Sequence, residues 1–450
     1  MRDYFEEIAG ELSGLLRGSE VFTCTLDSES SDFVRFNQSA VRQAGSVLQH
    51  HLRLDLIDGR RHASGRLSLA GDLGLDRPRL RAQVAELREI LGQLPEDPHL
   101  LYAREPRSSE RVHADQLPRG EEAVDAILGA AAGRDLVGIY ARGGVYAGFA
   151  NSLGQRNWYA NHSFHLDWSL YEQSAGSIPR SAGYNGAVKD GYAGTQWRAE
   201  ELARRVARAD EQLRALARPP HAPALGRHRV YLAPAALQSI LELLSWDAFG
   251  LRARRTRTTP LVRLAEGEIG LHPGVRVAEN SAEGIAPDFQ GQGFLRPPEI
   301  VLIEGGRSRD ALVSPRSSVE YGVPTNGASP SESPLSLDLA AGELASEDIL
   351  EELGTGVYVS NLWYLNYSDR RACRTTGMTR FATFWVERGR IQAPLAAMRF
   401  DESLYRMLGE LLVGLTRERE MLLDPESYGA RSTRSARLPG ALVAEFAFTL

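Results

Sequence analysis

The sequence predicts an α+β protein: an N-terminal antiparallel-sheet/helix domain over residues 1–220, followed by a β-rich, barrel-like C-terminal domain over 221–450. Three observations predict it. Before residue 217, strand-like runs joined by turn signals alternate with a few segments of helical periodicity, which is the pattern of sheets with helices laid on them. The stretch Ala217-Arg218-Pro219-Pro220-His221-Ala222-Pro223-Ala224 then concentrates prolines and small residues between a helical pattern and a strand-like one, which marks a boundary near residue 221. Beyond it, short strands between glycines and prolines predominate, as in a closed or barrel-like sheet.

Taken in order, Phe5, Ile8, Leu12, Leu15 and Leu16 fall at helical spacing within residues 4–16. Strand-like runs follow at 20–26, 33–37 and 46–57. Asp58-Gly59 is a hairpin turn signal, with Leu67 and Leu69 alternating beyond it. Residues 79–94 and 121–132 read as helices. Strands are expected at 136–140, 145–151 and 156–170, with Gly143-Gly144 as a turn and Asn151-Ser152-Leu153-Gly154 as the next connection. An amphipathic helix over 195–216 closes the first domain. In the second domain the expected strands are 229–232, 261–264, 275–278, 300–304, 311–313, 357–365 and 381–387. Helices are expected after Pro234 and over 404–416. Residues 324–334, rich in Ser, Pro, Gly and Asn, read as a mobile loop.

Composition excludes several classes. Fifty-two basic against 58 acidic side chains leave a formal charge of −6, which gives no reason to expect nucleic-acid binding. No run approaches the roughly 18 apolar residues a membrane helix needs, and Met1-Arg2-Asp3-Tyr4-Phe5-Glu6-Glu7 begins no signal sequence, so no membrane association and a cytoplasmic location are expected. Two cysteines, Cys24 and Cys373, are too few for a disulfide framework or a four-thiolate metal site.

The segment 354–400 carries the strongest signal. Gly354-Thr355-Gly356-Val357-Tyr358-Val359 leads through Asn361-Leu362-Trp363 to Thr375-Thr376-Gly377-Met378-Thr379-Arg380-Phe381, then to Phe384-Trp385-Val386-Glu387-Arg388-Gly389-Arg390-Ile391 and Pro394. This order resembles the C-terminal segment of the TldD/PmbA family, where a glycine-led strand, a "TG" turn and a "(F/Y)WIENG.I..P" hairpin follow one another. Within that family, TldD-like subunits carry a zinc-binding His-Glu-x-x-x-His helix and PmbA (TldE)-like subunits lack it. No His-Glu pair occurs among the ten histidines here, so the resemblance is to the PmbA/TldE-like branch.

The helix after Pro234 bears this out at residue level. Leu237, Ile240, Leu241 and Leu244 form one buried stripe. Laid on the family pattern without gaps, Glu242 stands where the first histidine would be, Leu243 at the glutamate and Asp247 at the second histidine. A hydrolytic zinc site needs nitrogen or thiolate ligands and a carboxylate base, and Leu243 cannot be that base. The family's third ligand, a cysteine, falls near Tyr367, not at Cys373, which reads as a structural thiol. The resemblance also places Asp288-Phe289-Gln290-Gly291-Gln292-Gly293 where relatives have a Phe-Asp-x-Glu-Gly loop, a departure that leaves substrate preference open.

Other candidates are weaker. In Asn161-His162-Ser163-Phe164-His165-Leu166-Asp167, His165 and Asp167 share one strand face while His162 points to the other, so a metal there lacks ligands. His50-His51 alternate across a strand. Arg252-Ala253-Arg254-Arg255-Thr256-Arg257 lacks the interleaved aromatic residues of a nucleic-acid surface and reads as a solvated or inter-subunit face.

What the resemblance implies is a non-metal subunit of a TldD/TldE-type metallopeptidase complex that acts on unfolded or small peptides. It holds no cofactor itself, and its partner is a zinc-bearing TldD-like paralogue. Asn366, Arg374, Thr376 and Arg380 alternate with apolar neighbours and are the residues expected to face a peptide or partner cleft, with Arg374 or Arg380 pairing a terminal carboxylate. Two alternatives remain open: a self-sufficient hydrolase with an unrecognised site such as His162/His165/Asp167, and a non-catalytic binding protein like the family's gyrase modulators.

Overall fold

A computed structural model describes residues 1–171 and 186–449. Its N-terminal half holds α1 (Arg2–Leu15), β1 (Val21–Asn37), β2 (Ala40–Asp58), β3 (Arg61–Leu69), α2 (Leu73–Leu91), β4 (Ser109–Val112), α3 (Gly120–Ala130), β5 (Asp135–Asn151), β6 (Arg156–Tyr171), β7 (Ala187–Gly194) and α4 (Ala199–Leu216). The strands form one sheet in the order β3-β2-β1-β5-β6-β4, with β7 also on β6, and every pairing is antiparallel except the short β4–β6 contact. Phe5, Ile8 and Leu12 of α1 and Leu80, Val84 and Leu87 of α2 bury their apolar stripes against Cys24, Leu26, Leu52 and Leu54 of the sheet. Asp72 caps α2 by accepting the Leu75 amide at 3.2 Å.

Two expectations fail here for related reasons. The runs at 20–26 and 33–37 are one strand, because the polar residues between them keep the ladder to both β2 and β5. Gly143-Gly144 is no turn but lies inside β5. A Cβ on Gly143, whose φ is +132°, would sit 2.2 Å from the Ser30 carbonyl, so glycine serves the close approach of β5 to β1.

The C-terminal half holds β8 (Gly226–Leu232), α5 (Pro234–Leu244), α6 (Leu251–Arg255), α7 (Val262–Ala265), β9 (Val277–Glu279), β10 (Ile300–Glu304), β11 (Arg307–Ser308), α8 (Pro315–Tyr321), β12 (Ser336–Leu339), α9 (Ile349–Leu353), β13 (Gly356–Asp369), β14 (Arg374–Glu387), β15 (Arg390–Pro394), β16 (Arg399–Ser403), α10 (Leu404–Met407), β17 (Leu412–Leu423) and β18 (Ser435–Phe448). Strands β8, β13, β14, β16 and β18 pair in succession, and β18 returns to β8, which closes a five-strand ring. Val230, Val357, Val359, Phe400 and Phe446 form one core with Leu237, Ile240, Leu241 and Leu244 of α5, so the helix stripe is buried as its spacing predicts. The remaining strands extend this sheet to eleven.

Several expected elements differ. Residues 261–264 belong to helical α7, since an apolar run this short fits either structure. Residues 311–313 form no strand beyond a single bridge from Leu312 to Gly250. The helix expected over 404–416 stops at Met407. Gly409 packs onto the Tyr405 carbonyl, where a Cβ would lie 2.0 Å away, and the chain turns into β17. Residues 324–334 are irregular but pinned rather than mobile: Glu332, 2% exposed, accepts the Ser314 and Arg252 amides at 2.9 Å each.

The proline-rich stretch lies between α4 and β8, and several contacts join the halves across it, among them the packing of Ala382 and Phe384 into the core of α3, α4 and β6 and the ion pair of Arg205 with Glu420 at 3.1 Å. Phe289 packs on Phe149 and Tyr159, while Gln155 donates to the Gly293 carbonyl at 2.7 Å and Ala103 to that of Gln292 at 2.8 Å. The loop that departs from the family pattern is thus a seam between the halves. Another is Arg431, in the connection from β17 to β18, 6% exposed and inserted into the N-terminal sheet.

Candidate functional site

Proline at the start of α5 fixes the helix where β8 ends, and its buried stripe turns Gln238, Glu242 and Ser245 toward a cavity of about 210 Å³. Trp246, Leu337, Asp424, Glu426 and Arg434 complete its wall. Glu242 is exposed at the mouth of the cavity, yet it is held above the usual carboxylate range, first by the loss of hydration among the packed walls around it and second by Asp424, with Arg434 opposing. The position reads in sequence as a plain polar face; the connection from β17 to β18 makes it a walled one.

The other two aligned positions are spent on structure, and Asp247 lies in the turn beyond the end of α5. Leu243 is 5% exposed. Asp247 is ion-paired with Arg370 at 2.7 Å, and Arg370 also lies 4.9 Å over the Tyr367 ring. Tyr367 donates to the Leu243 carbonyl at 3.0 Å, which satisfies a carbonyl at the end of α5. Cys373 is fully buried, and burial pushes its thiol up to about 12, so it stays protonated and a poor metal ligand. This donor set does not fit a hydrolytic zinc centre: it offers no imidazole, no available thiolate and, at Leu243, no base.

The residues expected in a cleft lie elsewhere, on the β13–β14 hairpin. Asn366 stands opposite Thr376 in register, and Arg374 is two residues further along the same face. Thr376 donates to the Phe400 carbonyl at 2.9 Å, Asn366 accepts the Tyr367 amide at 2.8 Å, and Arg374 pairs with Asp401 at 3.2 Å. Arg380 differs. Its guanidinium lies 4.0 Å from the Trp363 ring centre and 5.2 Å from that of Phe381, and it has no ion pair among the described residues. Trp363 and Tyr364 beside it are 51% and 79% exposed. Of the four, Arg380 is the one with no side-chain hydrogen bond or ion pair among the described residues.

His162, His165 and Asp167 do not assemble. Asp167 is ion-paired with Lys189 at 2.5 Å, and His162 faces Tyr146 and the His113 carbonyl on the other side of the strand. Among the described residues, no group of three His, Cys, Asp or Glu side chains is placed to hold a metal. His50 is buried and hydrogen-bonded to Ser28 at 2.7 Å. In the arginine strip, Arg257 pairs with Glu266 at 2.9 Å and Arg254 donates to the Arg309 carbonyl.

His165 makes a testable statement. It is 5% exposed, and burial, then Arg431, lowers its pKa to about 4, with Asp167 and Asp424 opposing. The unfolded chain binds a proton near pH 6.5 that the folded one refuses. This group's contribution to stability should therefore be constant above that pH and fall by about 1.4 kcal/mol per pH unit between roughly 6.5 and 4. Urea midpoints of the parent and of His165→Gln at pH 7.5, 6 and 5 check this; equal slopes would refute it.

Residues 225–450 match the family model of the PmbA/TldA metallopeptidase C-terminal domain. No curated protein matches the sequence. Ten chains among the solved structures match, three of them as follows. TldE from Thermococcus kodakarensis has a TM-score of 0.77 at 13% identity, over 99% of this chain and 100% of that one. A chain described as a modulator of a DNA gyrase from Thermotoga maritima has 0.75 at 15%, over 99% and 100%. Another so described, from Bacteroides thetaiotaomicron, has 0.73 at 12%, over 99% and 98%.

Proposed function

Since this chain belongs to the TldD/PmbA family, we propose that it is the non-metal subunit of a TldD/TldE-type metallopeptidase complex that acts on unfolded or small peptides in the cytoplasm. One observation carries the reading. The helix that bears the metal and the base in TldD-like relatives is here a structural helix with Glu242 and Leu243 in two of those places, and Asp247, in the third, lies past its end and is ion-paired with Arg370. Such a chain keeps what shapes a surface and lacks what cuts. Zinc and hydrolysis then belong to a paralogous partner, and this subunit contributes the wall of a shared cavity, water exclusion and peptide positioning. The aromatic residues around Arg380 suit contact with a partner or with a peptide's terminal carboxylate. That no helix among the described residues is long and apolar enough to cross a membrane is in keeping with this.

The test is a titration of this chain against a TldD-like paralogue from the same organism, read by size-exclusion and by peptide cleavage. A 1:1 complex is expected, with cleavage only when both chains are present and well under one zinc per molecule in this chain alone. Arg380→Glu should lower turnover of the pair without changing the melting of this chain. A paralogue fully active alone, and indifferent to this chain, would defeat the reading. Cleavage with stoichiometric zinc by this chain alone would instead favour a self-sufficient hydrolase. The names of two similar structures favour a second reading, a non-catalytic binding protein. Capture of a topoisomerase without any peptidase paralogue would support it.

A further inference from the structure

Residues directly opposed on neighbouring antiparallel strands present their side chains on one face. That register brings Asp27 of β1, His51 of β2 and Ser68 of β3 into one row. The row continues to Ala147 and Tyr159, and the Tyr159 hydroxyl donates to the Ile285 carbonyl, so this is the sheet face that meets the C-terminal half. Gly291 flanks it at Thr25, and Gly429 flanks it at Gln49, so the row lies between two places where the halves touch. Ser68 and Asp27 are exposed there and His51 is half-buried. The hydrogen bonds assign His51 its tautomer. The Gln49 amide nitrogen donates to Glu29 at 2.8 Å and to the Gly429 carbonyl, so its amide oxygen is the atom turned to His51 Nε2, 3.4 Å away. Glu29 is in turn fixed by the Arg431 amide, which donates at 2.8 Å. Nε2 therefore carries the proton, and the bare Nδ1 accepts the Ser68 hydroxyl at 3.2 Å. A serine that donates to a neutral imidazole, itself oriented from behind by a carboxamide, has the arrangement of an activated nucleophile.

We propose that Ser68 is a nucleophile, with His51 as its base, for acyl transfer from small esters to water. The Ser68 oxygen attacks the ester carbonyl and its proton passes to His51 Nδ1. The tetrahedral carbon then expels the alcohol oxygen, which takes that proton from the imidazolium. Water next attacks the acyl-serine and gives a proton to Nδ1. The acid is released as the Ser68 oxygen departs and recovers that proton. Asp27, opposite His51, faces the imidazolium formed in between. Arg66, two residues before Ser68 on the same face, supplies positive charge for the developing oxyanion. Arg66 and His51 both act on Asp27, whose carboxyl is nonetheless pushed above the usual range by the loss of hydration in its packed surroundings. Phosphoryl transfer leans on bound cations, and no group of three metal-binding side chains is placed among the described residues, so an acyl group fits better. The inference goes beyond the subunit reading and stands apart from it, since the chemistry needs neither a paralogue nor zinc.

The test treats the full chain, with a chelator present, with p-nitrophenyl acetate and, separately, with a fluorophosphonate that labels activated serines. Nitrophenolate release is expected, and peptide masses should place the phosphonate on Ser68. Ser46 and Ser64 serve as internal controls, because both are exposed but donate to Asp32 and Asp55 instead of to an imidazole. His51→Ala should slow the labelling of Ser68 by about a hundredfold or more, the usual worth of a positioned base. Ser68→Ala should lose both label and release while melting like the parent, since Ser68 is exposed on an outer strand. Gln49→Leu tests positioning: it should lower kcat for the ester and leave KM unchanged, a split that a merely structural role would not produce. If His51→Ala does not fold, the place of the label and its loss in Ser68→Ala decide. Label spread evenly over exposed serines, no label on Ser68, or undiminished labelling in a folded His51→Ala variant would each overturn the proposal. So would release that survives Ser68→Ala, or release that the chelator abolishes.

Discussion

Replacing Arg431 by alanine is expected to destabilise the protein by about 3–5 kcal/mol, the cost of leaving the buried groups around a removed charge unpaired. Its guanidinium donates to the Ser163 carbonyl and hydroxyl at 2.8 and 2.7 Å and to the Gly143 carbonyl at 3.1 Å, while its backbone amide donates to Glu29 at 2.8 Å. In the alanine variant Glu29, 3% exposed, keeps the residue-431 amide and Gln49 at 2.8 Å as donors but loses the positive charge beside it. Burial lowers the Arg431 pKa to about 10, which still leaves it charged at neutral pH. Arg431→Lys keeps the charge but not the forked donors, so it should recover only part of the loss. Because these bonds anchor the connection from β17 to β18 on the N-terminal sheet, limited proteolysis should quicken at Tyr428, 98% exposed in that connection. An alanine variant that melts with the parent and is cut no faster would show that the other contacts between the halves hold them together without Arg431.

Arg431 also shows where the sequence ran out. Nothing within a few residues distinguishes it from the other arginines of a chain with 52 basic residues, and its partners Glu29, Gly143 and Ser163 are far away in sequence. Periodicity reads local environment, so α1, α4, α5 and the segments 357–365 and 381–387 were legible, each with one apolar stripe or alternation that the core uses directly, whereas the turn expected at Thr376-Gly377 lies inside β14. Elements whose environment is set from outside were not. The polar middle of β1 is a strand because it lies between β2 and β5, its Glu29 and Ser31 buried against the other half. Strand β18 carries Pro439 and adjoins β17 across a register shift, so its alternation is broken where a sequence reading needs it. The candidate site divides the same way. The lack of a metal-binding pattern on α5 is visible in three residues, but the walled cavity beside it depends on Asp424, Glu426 and Arg434 arriving from nearly 200 residues downstream.

Leu237→Ala should cost about 2–5 kcal/mol, the range for deleting a packed leucine side chain when the surroundings cannot collapse. Leu237 is 0% exposed and sits in the core shared by α5, β8, β13 and β18, inside a ring of strands that is closed and so resists inward movement. Leu241 belongs to the same stripe but also borders the cavity, where water can enter the space it vacates, so Leu241→Ala should fall at the low end of that range. Replacing Glu242 and Asp247 together by alanine removes one raised carboxyl and one exposed ion pair, the kind worth about 0–1 kcal/mol, and should leave both melting and the activity of a reconstituted pair within a few-fold of the parent. Denaturant midpoints for the four proteins order the effects. The ranking is what separates a helix retained for packing from a helix retained for chemistry. If the carboxylate double variant abolishes activity while melting normally, and Leu237→Ala is mild, α5 is a site in its own right and the subunit reading of this chain must be abandoned.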